Sequence, residues 1–476
     1  MSDVSGERMP TLFEPTLAGR QVAASLAAPT PRLKVLMVSQ PRDPLVGQGS
    51  EHGSVAIVTR ALADRLADRC DLHVVAPRAD GQHALERSVA GVTIHRVAAR
   101  GRFFYRAMEL VQGIAGRGLP VFARRSYYAG YVRAVCALIR ELRPDVVHLM
   151  TYPQFAPAIR RAAPDARLVL HLHDEALLRL PRDLAQQRLA RFDAVCACSN
   201  WLAGRLSEAF PTLATRIRAL GNGVDIATFR LDTEEARDAA PRLLFVGRVS
   251  PEKGPHVLID AFTRLAGRHP RLELVMAGPV ALLPYSYVQL IAGDPPMRSA
   301  LAFYGAALMT RVLRQVVRGR SSLQDALRTM VPPALRDRVA WLGSVPHHTI
   351  ARLMSLGTIF VQPSLCEEGF GLPLAEAMAC GLAVVGSRRG GITEMIEHGR
   401  TGLLVDASDP EALASAVERL LDDPAEAKAM GRAAAEKIAR THSWDTVAER
   451  LWSIWTKAAV EPCHRPATEA VRAELC

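Results

Sequence analysis

Short apolar runs separated by helical stretches constrain the fold of this 476-residue chain most strongly. The runs of a first series are Leu33–Ser39, Leu72–Ala76, Val92–Val97, Val146–Met150, Leu168–Leu172 and Ala194–Ala197. The clearest helical stretch between two of them is Tyr127–Leu142. Because buried strands of a parallel sheet read as continuous apolar runs, this alternation predicts an α/β fold with helices on both faces of the sheet.

A second series repeats the pattern. Its runs are Leu243–Val246, Leu272–Ala277, Val339–Leu342, Ile359–Gln362, Ala383–Gly386 and Leu403–Val405. Two such series predict two doubly wound, Rossmann-like domains, which we expect at residues 32–235 and 236–440. Ligands of such folds bind at the carboxyl ends of the strands, so we expect the site in the cleft between the domains.

Three segments fall outside this minimal design. Residues 1–31, rich in Pro, Ala, Ser and charge, predict a flexible extension, and residues 441–476 predict an amphipathic helix followed by a tail. Residues 279–333 form an insertion in the second domain. Its apolar, aromatic and basic residues fit a lid over an acceptor site, a membrane-surface helix or an inert helical hairpin, and these alternatives stay open.

Composition narrows the cellular setting and the partners. The formal net charge is +11, but the basic residues are spread over the chain and form no run with interleaved aromatics, which argues against a nucleic-acid partner. No apolar run approaches the roughly 20 residues that cross a bilayer, and the eight cysteines lack disulfide spacing. We expect a cytoplasmic protein, with peripheral contact at the inner face of the membrane as a second expectation.

The segment from Glu368 to Gly381 carries the clearest chemistry. Glu368 and Glu376 lie eight positions apart, and Pro373 between them is typical of the first position of a helix. This spacing predicts Glu376 in the first turn of a short helix. The glycines before the helix let a ligand approach the backbone, and the free amides of a helix N-terminus attract anions. The segment predicts a site for a ligand that carries both phosphate and hydroxyl groups.

A second motif, GRVSPEKG at residues 247–254, follows the first strand of the second domain. Arg248 and Lys253 lie five positions apart around a glycine-bounded turn. The guanidinium offers a two-pronged donor for phosphate oxygens, and the lysine adds a compact charge. Together they predict a diphosphate site that works without a metal.

These motifs, in this order, resemble those of the retaining GT-B glycosyltransferases of family 4, with its E-x7-E signature. Further matching segments are VLHLHD at 169–174, CSNWLAGRL at 198–206 and GNGVDIATF at 221–229. The resemblance covers most of residues 32–457. It implies two Rossmann-like domains facing a cleft, with a C-terminal helix that crosses back to the first domain.

The resemblance also implies roles for individual residues of the second domain. Arg248 and Lys253 are expected to bind the donor diphosphate, Glu376 the ribose hydroxyls and Glu368 the transferred sugar. The amides that line this site are expected from Gly369, Phe370 and Gly371, and the backbone that meets the nucleobase from Ser344 and Val345.

In the first domain, the resemblance implies that His173 contacts the donor sugar near the reacting carbon. His171, two residues earlier, stays open as a rival for that role because alternate residues of a strand share a face. Gly49 is expected to approach the phosphate or the sugar. Here Gln48 separates Gly47 from Gly49, whereas family members usually have two adjacent glycines.

The activity implied is that of a hexosyltransferase that retains configuration and needs neither metal nor cofactor. The donor would be a nucleotide diphosphate hexose or N-acetylhexosamine; we favour a UDP-sugar, and a GDP-sugar stays open. A small cyclitol or natural product, a lipid carrier or a polysaccharide could supply the acceptor hydroxyl. The oligomeric state stays open.

Two other classes of function fit less well. An NAD-dependent oxidoreductase would need a glycine where His52 stands, and an acidic residue at the end of the second strand. A non-catalytic sugar-nucleotide-binding protein predicts a degraded site, whereas Arg248, Lys253, Glu368 and Glu376 are all present.

Overall fold

The computed structural model describes residues 32–46, 53–99, 102–115, 118–230, 240–304 and 322–460. Several predicted features lie outside the described residues. They are the extension at residues 1–31, the tail after residue 460, Gly47 and Gly49. The predicted domain boundaries stay predictions.

The first domain is built on a sheet of eight described strands in the order β3-β4-β2-β1-β5-β6-β7-β8. They are β1 (Lys34–Val38), β2 (Asp71–Pro77), β3 (Leu85–Arg87), β4 (Thr93–Val97), β5 (Val146–Met150), β6 (Arg167–Leu172), β7 (Ala194–Ala197) and β8 (Ile217–Ala219). Only β3 pairs antiparallel, with β4. The inner strands are buried along their length, as the apolar runs predict.

Helices flank this sheet. They are α1 (Ser54–Leu66), α2 (Arg102–Ala115), α3 (Ala129–Leu142), α4 (Ala156–Ala162), α5 (Arg182–Leu189) and α6 (Asn200–Ala209). In α1 the buried Val55, Val58, Leu62 and Leu66 recur at helical spacing and face the sheet. Helix α6 begins where the Ser199 hydroxyl accepts a hydrogen bond from the Leu202 amide at 3.1 Å.

The second domain has a fully parallel sheet in the order β11-β10-β9-β12-β13-β14. Its described strands are β9 (Arg242–Val246), β10 (Glu273–Ala277), β11 (Val339–Gly343), β12 (Ile359–Gln362), β13 (Ala383–Ser387) and β14 (Leu403–Val405). The strand β9 lies between β10 and β12, and in the first domain β1 lies between β2 and β5. Strand order reverses at these two points, where doubly wound sheets bind ligands.

The remaining described helices follow in chain order. They are α7 (Pro255–Leu265), α8 (Tyr285–Ile291), α9 (Arg298–Tyr304), α10 (Ser322–Met330), α11 (His347–Ser355), α12 (Leu372–Ala379), α13 (Ile392–Met395), α14 (Pro410–Asp422), α15 (Pro424–Thr441) and α16 (Trp444–Val460). The insertion contains α8, α9 and α10. Among the helices described, none is both long and apolar enough to span a bilayer.

The C-terminal helix α16 crosses back to the first domain, as expected. The guanidinium of Arg65 on α1 donates to the Asp445 carboxylate at 2.9 Å. Deeper in the fold, the Trp455 indole N–H donates to Nδ1 of His148 on β5 at 3.2 Å. Both Trp455 and His148 are fully buried, so α16 is part of the core of the first domain.

Candidate functional site

A cavity of about 690 Å³ lies between the two sheets and is lined by residues from both domains. Loops that follow the strands at both reversal points contribute to it, among them Gln40 after β1 and Arg248 after β9. Its volume is in the range of small-molecule sites. The cavity therefore has the predicted position at the carboxyl ends of the strands.

Arg248 is held in the cavity by a chain of hydrogen bonds. Its Nη2 donates to Glu252 Oε1 at 2.7 Å and its Nε donates to the Ser250 hydroxyl at 3.1 Å. The other oxygen of Glu252 accepts from the Tyr304 hydroxyl at 2.6 Å. Because Tyr304 ends α9, the insertion supports the carboxylate that orients Arg248.

Lys253 and Glu368 form an ion pair at the same wall of the cavity. The Ser364 hydroxyl also donates to Glu368 Oε1, at 2.6 Å. Burial alone would raise the pKa of the Glu368 carboxyl, but the charge of Lys253 and the two hydrogen bonds outweigh burial and lower it. Burial likewise opposes the charge of Lys253, and Glu368 reverses that effect and raises the lysine pKa. Both groups therefore stay ionised at neutral pH.

The loop from Gly369 to Gly371 passes close to the first domain. A Cβ at Gly369 would overlap the carbonyl oxygen of His173, so only glycine permits this approach. Gly371 has φ of 89° and precedes α12. Gly369, Phe370 and Gly371 all line the cavity, next to the helix N-terminus with its unpaired amides.

Glu376 lies on α12, but not in its first turn as predicted. The helix begins at Leu372, one residue before Pro373, which makes Glu376 the fifth residue. Glu376 is 3% exposed, and its carboxylate accepts a hydrogen bond from Nε2 of His347 at 2.6 Å. Ser344 and Val345, which precede α11, line the same part of the cavity.

The two candidate histidines lie in different environments. His171 lies within β6 and is fully buried, whereas His173 follows the strand and lines the cavity. Burial lowers the pKa of His173 to about 3, so its imidazole is neutral at neutral pH. Its Nε2 is buried and has no hydrogen-bond partner among the described atoms.

Several cavity residues of the first domain were missed from the sequence. Arg42 and Asp43 follow β1, and Thr151 and Tyr152 follow β5. The Gln40 amide donates to the Thr151 hydroxyl at 2.7 Å, which ties the two loops together. None of these residues belongs to a recognisable motif; the only sequence signal was their position after predicted strands.

The insertion forms part of the cavity wall through Leu282, Leu283 and Tyr287. The ring of Tyr287 lies 5.9 Å from that of Phe122 in the first domain, centroid to centroid. The described part of the insertion therefore lines the cavity and contacts the first domain. Residues 305–321 lie outside the described residues.

Ionic contacts join the two domains beside the cavity. Arg179 of the first domain makes a two-pronged contact with Asp294 of the insertion, at 3.0 and 2.8 Å. A second contact between the domains is made by the Glu394 carboxylate, which accepts hydrogen bonds from the Trp201 amide at 2.9 Å and the Asn200 side chain at 2.8 Å. These contacts fix the two walls of the cavity against each other.

Family models match most of the chain. Residues 55–228 match the model described as Glycosyltransferase Family 4, and residues 231–298 and 309–437 match the one described as Glycosyl transferases group 1. The chain belongs to glycosyltransferase family 4. The glycosyltransferase motifs noted in the sequence fall largely within these matches, so the predicted family and enzyme class are confirmed.

A relative named as a glycosyltransferase supports this family assignment, and two solved structures support the fold. The glycosyltransferase is 27% identical over 474 residues to a D-inositol 3-phosphate glycosyltransferase of Acidothermus cellulolyticus, covering 93% of this chain and 94% of the relative. Sucrose-phosphate synthase of Thermosynechococcus elongatus superposes with a TM-score of 0.65 at 20% identity, over 90% of this chain and 99% of that one. Anabaena HepE in complex with UDP-glucose gives 0.60 at 19% identity, over 90% and 100%. The GT-B fold is thereby confirmed.

Proposed function

We propose that this glycosyltransferase moves a hexosyl or N-acetylhexosaminyl group from a nucleotide diphosphate sugar to an acceptor hydroxyl, with retention of configuration and without a metal. The observation that carries the proposal is one cavity that holds both a buried, histidine-bound carboxylate, Glu376, and two cations, Arg248 and Lys253. A nucleotide sugar has the matching groups, a ribose diol that donates hydrogen bonds and a diphosphate that accepts them.

The nucleoside end is assigned to Glu376 and its neighbours. The carboxylate would accept from the two ribose hydroxyls, and the hydrogen bond from His347 holds it in position. Ser344 and Val345 would contact the nucleobase. UDP is the leading nucleotide, which the complex of HepE with UDP-glucose supports on the same fold; GDP is the second candidate.

The sugar end is assigned to Glu368 and the loop after it. Glu368 is ionised and buried, so it can accept hydrogen bonds from sugar hydroxyls. The amides of Gly369, Phe370 and Gly371 would donate to the sugar or to the diphosphate. His173 would contact the sugar from the first domain, and as a neutral imidazole it adds no positive charge beside an oxocarbenium-like carbon.

In the proposed reaction, the acceptor oxygen bonds to the anomeric carbon while the bond from that carbon to the β-phosphate oxygen breaks. The acceptor hydroxyl proton passes to the departing phosphate oxygen. Arg248 and Lys253 stabilise the negative charge that grows on the diphosphate. In this proposal Glu368 acts by hydrogen bonding and charge and not as a nucleophile, and Lys253 and Ser364 both bind its Oε1.

Release of nucleoside diphosphate tests the proposal. UDP-glucose, UDP-N-acetylglucosamine and GDP-mannose would each be combined with polyol, sugar-phosphate and lipid acceptors. Glu368→Gln is expected to lower turnover roughly 100-fold, a typical loss for one charge-stabilising group. Glu436→Gln, at an exposed position of α15, is the matched control and should leave turnover unchanged.

The anomeric coupling of the product in proton NMR checks retention. An α-linked donor should give an α-linked product. Binding of nucleotide sugars without turnover on any acceptor would instead indicate a non-catalytic sugar-nucleotide-binding protein. An inverted product would contradict the proposed mechanism.

A further inference from the structure

Arg188 on α5 is a buried cation that the proposed reaction does not use. It lines the cavity from the first domain and is only 7% exposed. Its guanidinium donates to the carbonyl of Ala123. Among the described residues, no carboxylate forms an ion pair with it. A guanidinium offers five donors, so a single carbonyl leaves most of its hydrogen-bonding capacity unused.

The charges around Arg188 make its position costly without a ligand. Burial lowers its pKa, and the nearby charge of Arg125 lowers it further. A buried charge is normally paired with an opposite one, since desolvation without compensation costs several kcal/mol. An anion bound in the cavity would supply the missing partner.

Contacts place Arg188 on the wall of the cavity that the first domain forms. The Gln154 amide donates to the carbonyl of Phe122 at 2.6 Å, and Arg188 donates to the next carbonyl along the chain. Phe122 in turn faces Tyr287 of the insertion. The donor cations Arg248 and Lys253 belong to the other domain, so Arg188 is available to a second substrate.

We propose that Arg188 binds an anionic group of the acceptor, a phosphate ester, while Phe122 and Tyr287 contact the uncharged part of the same molecule. This inference rests on the proposed function, because it names the class of acceptor for that transfer. A guanidinium binds phosphate oxygens in a two-pronged manner, and aromatic faces pack against sugar or acyl carbons. The phosphate could belong to a free sugar or polyol phosphate or to a lipid carrier.

Thermal melting tests whether Arg188 binds an anion, and it does not require the acceptor to be identified. With UDP present in saturating amounts to occupy the donor site, inorganic phosphate and glucose 6-phosphate are added separately. Both should raise the melting temperature of the wild type but not of Arg188→Gln. The control Arg191→Gln, at an exposed position after the same helix, should respond like the wild type. No stabilisation of the wild type, or equal stabilisation of Arg188→Gln, would overturn the proposal.

Kinetics with paired acceptors separate binding from a structural role and identify the source of the phosphate. The soluble pairs are glucose with glucose 6-phosphate and inositol with inositol monophosphate; the lipid arm is polyprenyl phosphate against polyprenol in detergent micelles. Arg188→Gln should raise KM for the phosphorylated member roughly 10- to 100-fold and leave kcat and the unphosphorylated member unchanged. An equal loss on both members would show that Arg188 only holds the Phe122–Ala123 segment and would refute the proposal.

The donor site provides the check that separates this inference from the proposed function. UDP binding and slow hydrolysis of the donor without an acceptor should be the same in Arg188→Gln and the wild type. If the wild type binds no nucleotide, the proposed function fails. If nucleotide binding is intact and phosphorylation of the acceptor makes no difference, only the assignment of Arg188 fails.

Discussion

Replacing Lys253 by methionine is expected to lower kcat/KM for the donor about 10²- to 10³-fold, or ~3–4 kcal/mol of transition-state stabilisation. Lys253 carries the compact charge that pairs with Glu368 in the cavity. In the proposed reaction, negative charge grows on the diphosphate as the sugar departs. Rates of nucleoside diphosphate release with the wild type and Lys253→Met measure the effect. Lys428→Met, at an exposed position of α15, is the control for loss of a lysine.

The same substitution leaves Glu368 buried without its cation. Burial should then raise the carboxyl pKa, and the melting temperature should fall, because breaking a buried pair commonly costs a few kcal/mol. Lys253→Arg keeps the charge and should recover most of the stability but only part of the activity, since the guanidinium is broader and planar. Full activity in Lys253→Met would show that this cation does not act on the leaving diphosphate.

Gly369→Ala is expected to lower kcat about 100-fold while UDP still binds. The added methyl group would overlap the His173 carbonyl and approach the Cys198 sulfur, so the two domains could not meet at this point. A displacement of reacting groups by about 1 Å can cost that factor. The nucleotide contacts assigned to Glu376 and Lys253 lie within the second domain, so UDP affinity should change little.

Calorimetric titration with UDP and turnover rates together show whether Gly369→Ala lowers turnover without weakening UDP binding. Gly267→Ala is the matched control, because a Cβ at Gly267 would meet nothing within 4 Å. A large loss of UDP affinity in Gly369→Ala would mean that the clash distorts the second domain itself. Unchanged turnover would mean that the close approach of the domains is not needed for the reaction.

The sheets were predictable because their inner strands are buried on both faces. The predicted runs Val146–Met150 and Ile359–Gln362 coincide with β5 and β12. In contrast, β3 and β8 were missed: each has three residues, and β3 is exposed throughout, so neither leaves an apolar run. The fold class therefore followed from the sequence, while the sheet edges did not.

Local motifs predicted the cavity wall of the second domain, which is the proposed donor side. Glu368 and Glu376 are close in sequence, and a short helix sets their relation. The shift of Glu376 beyond the first turn has a local cause: the left-handed Gly371 ends the loop one residue earlier than Pro373 suggested. Likewise, His173 rather than His171 reaches the cavity because β6 ends at Leu172.

The remaining features of the site depend on contacts between residues that are far apart in the sequence. His347 meets Glu376 across 29 positions, and Tyr304 meets Glu252 across 52. Nothing in the local pattern of the sequence distinguishes these side chains from ordinary surface residues. Arg188 is a further case, since one arginine on a polar helix carries no signal until its burial and its lack of a paired carboxylate among the described residues are known.

Calorimetric titration of UDP into the wild type and Glu376→Gln tests most directly whether the cavity is a nucleotide-sugar donor site. We expect the wild type to bind one UDP per chain, and Glu376→Gln to bind it at least about tenfold more weakly, because an amide replaces a charged acceptor of two ribose hydrogen bonds. Glu436→Gln should match the wild type. No binding of UDP, GDP or ADP to the wild type, or an unchanged Kd in Glu376→Gln, would contradict the assignment.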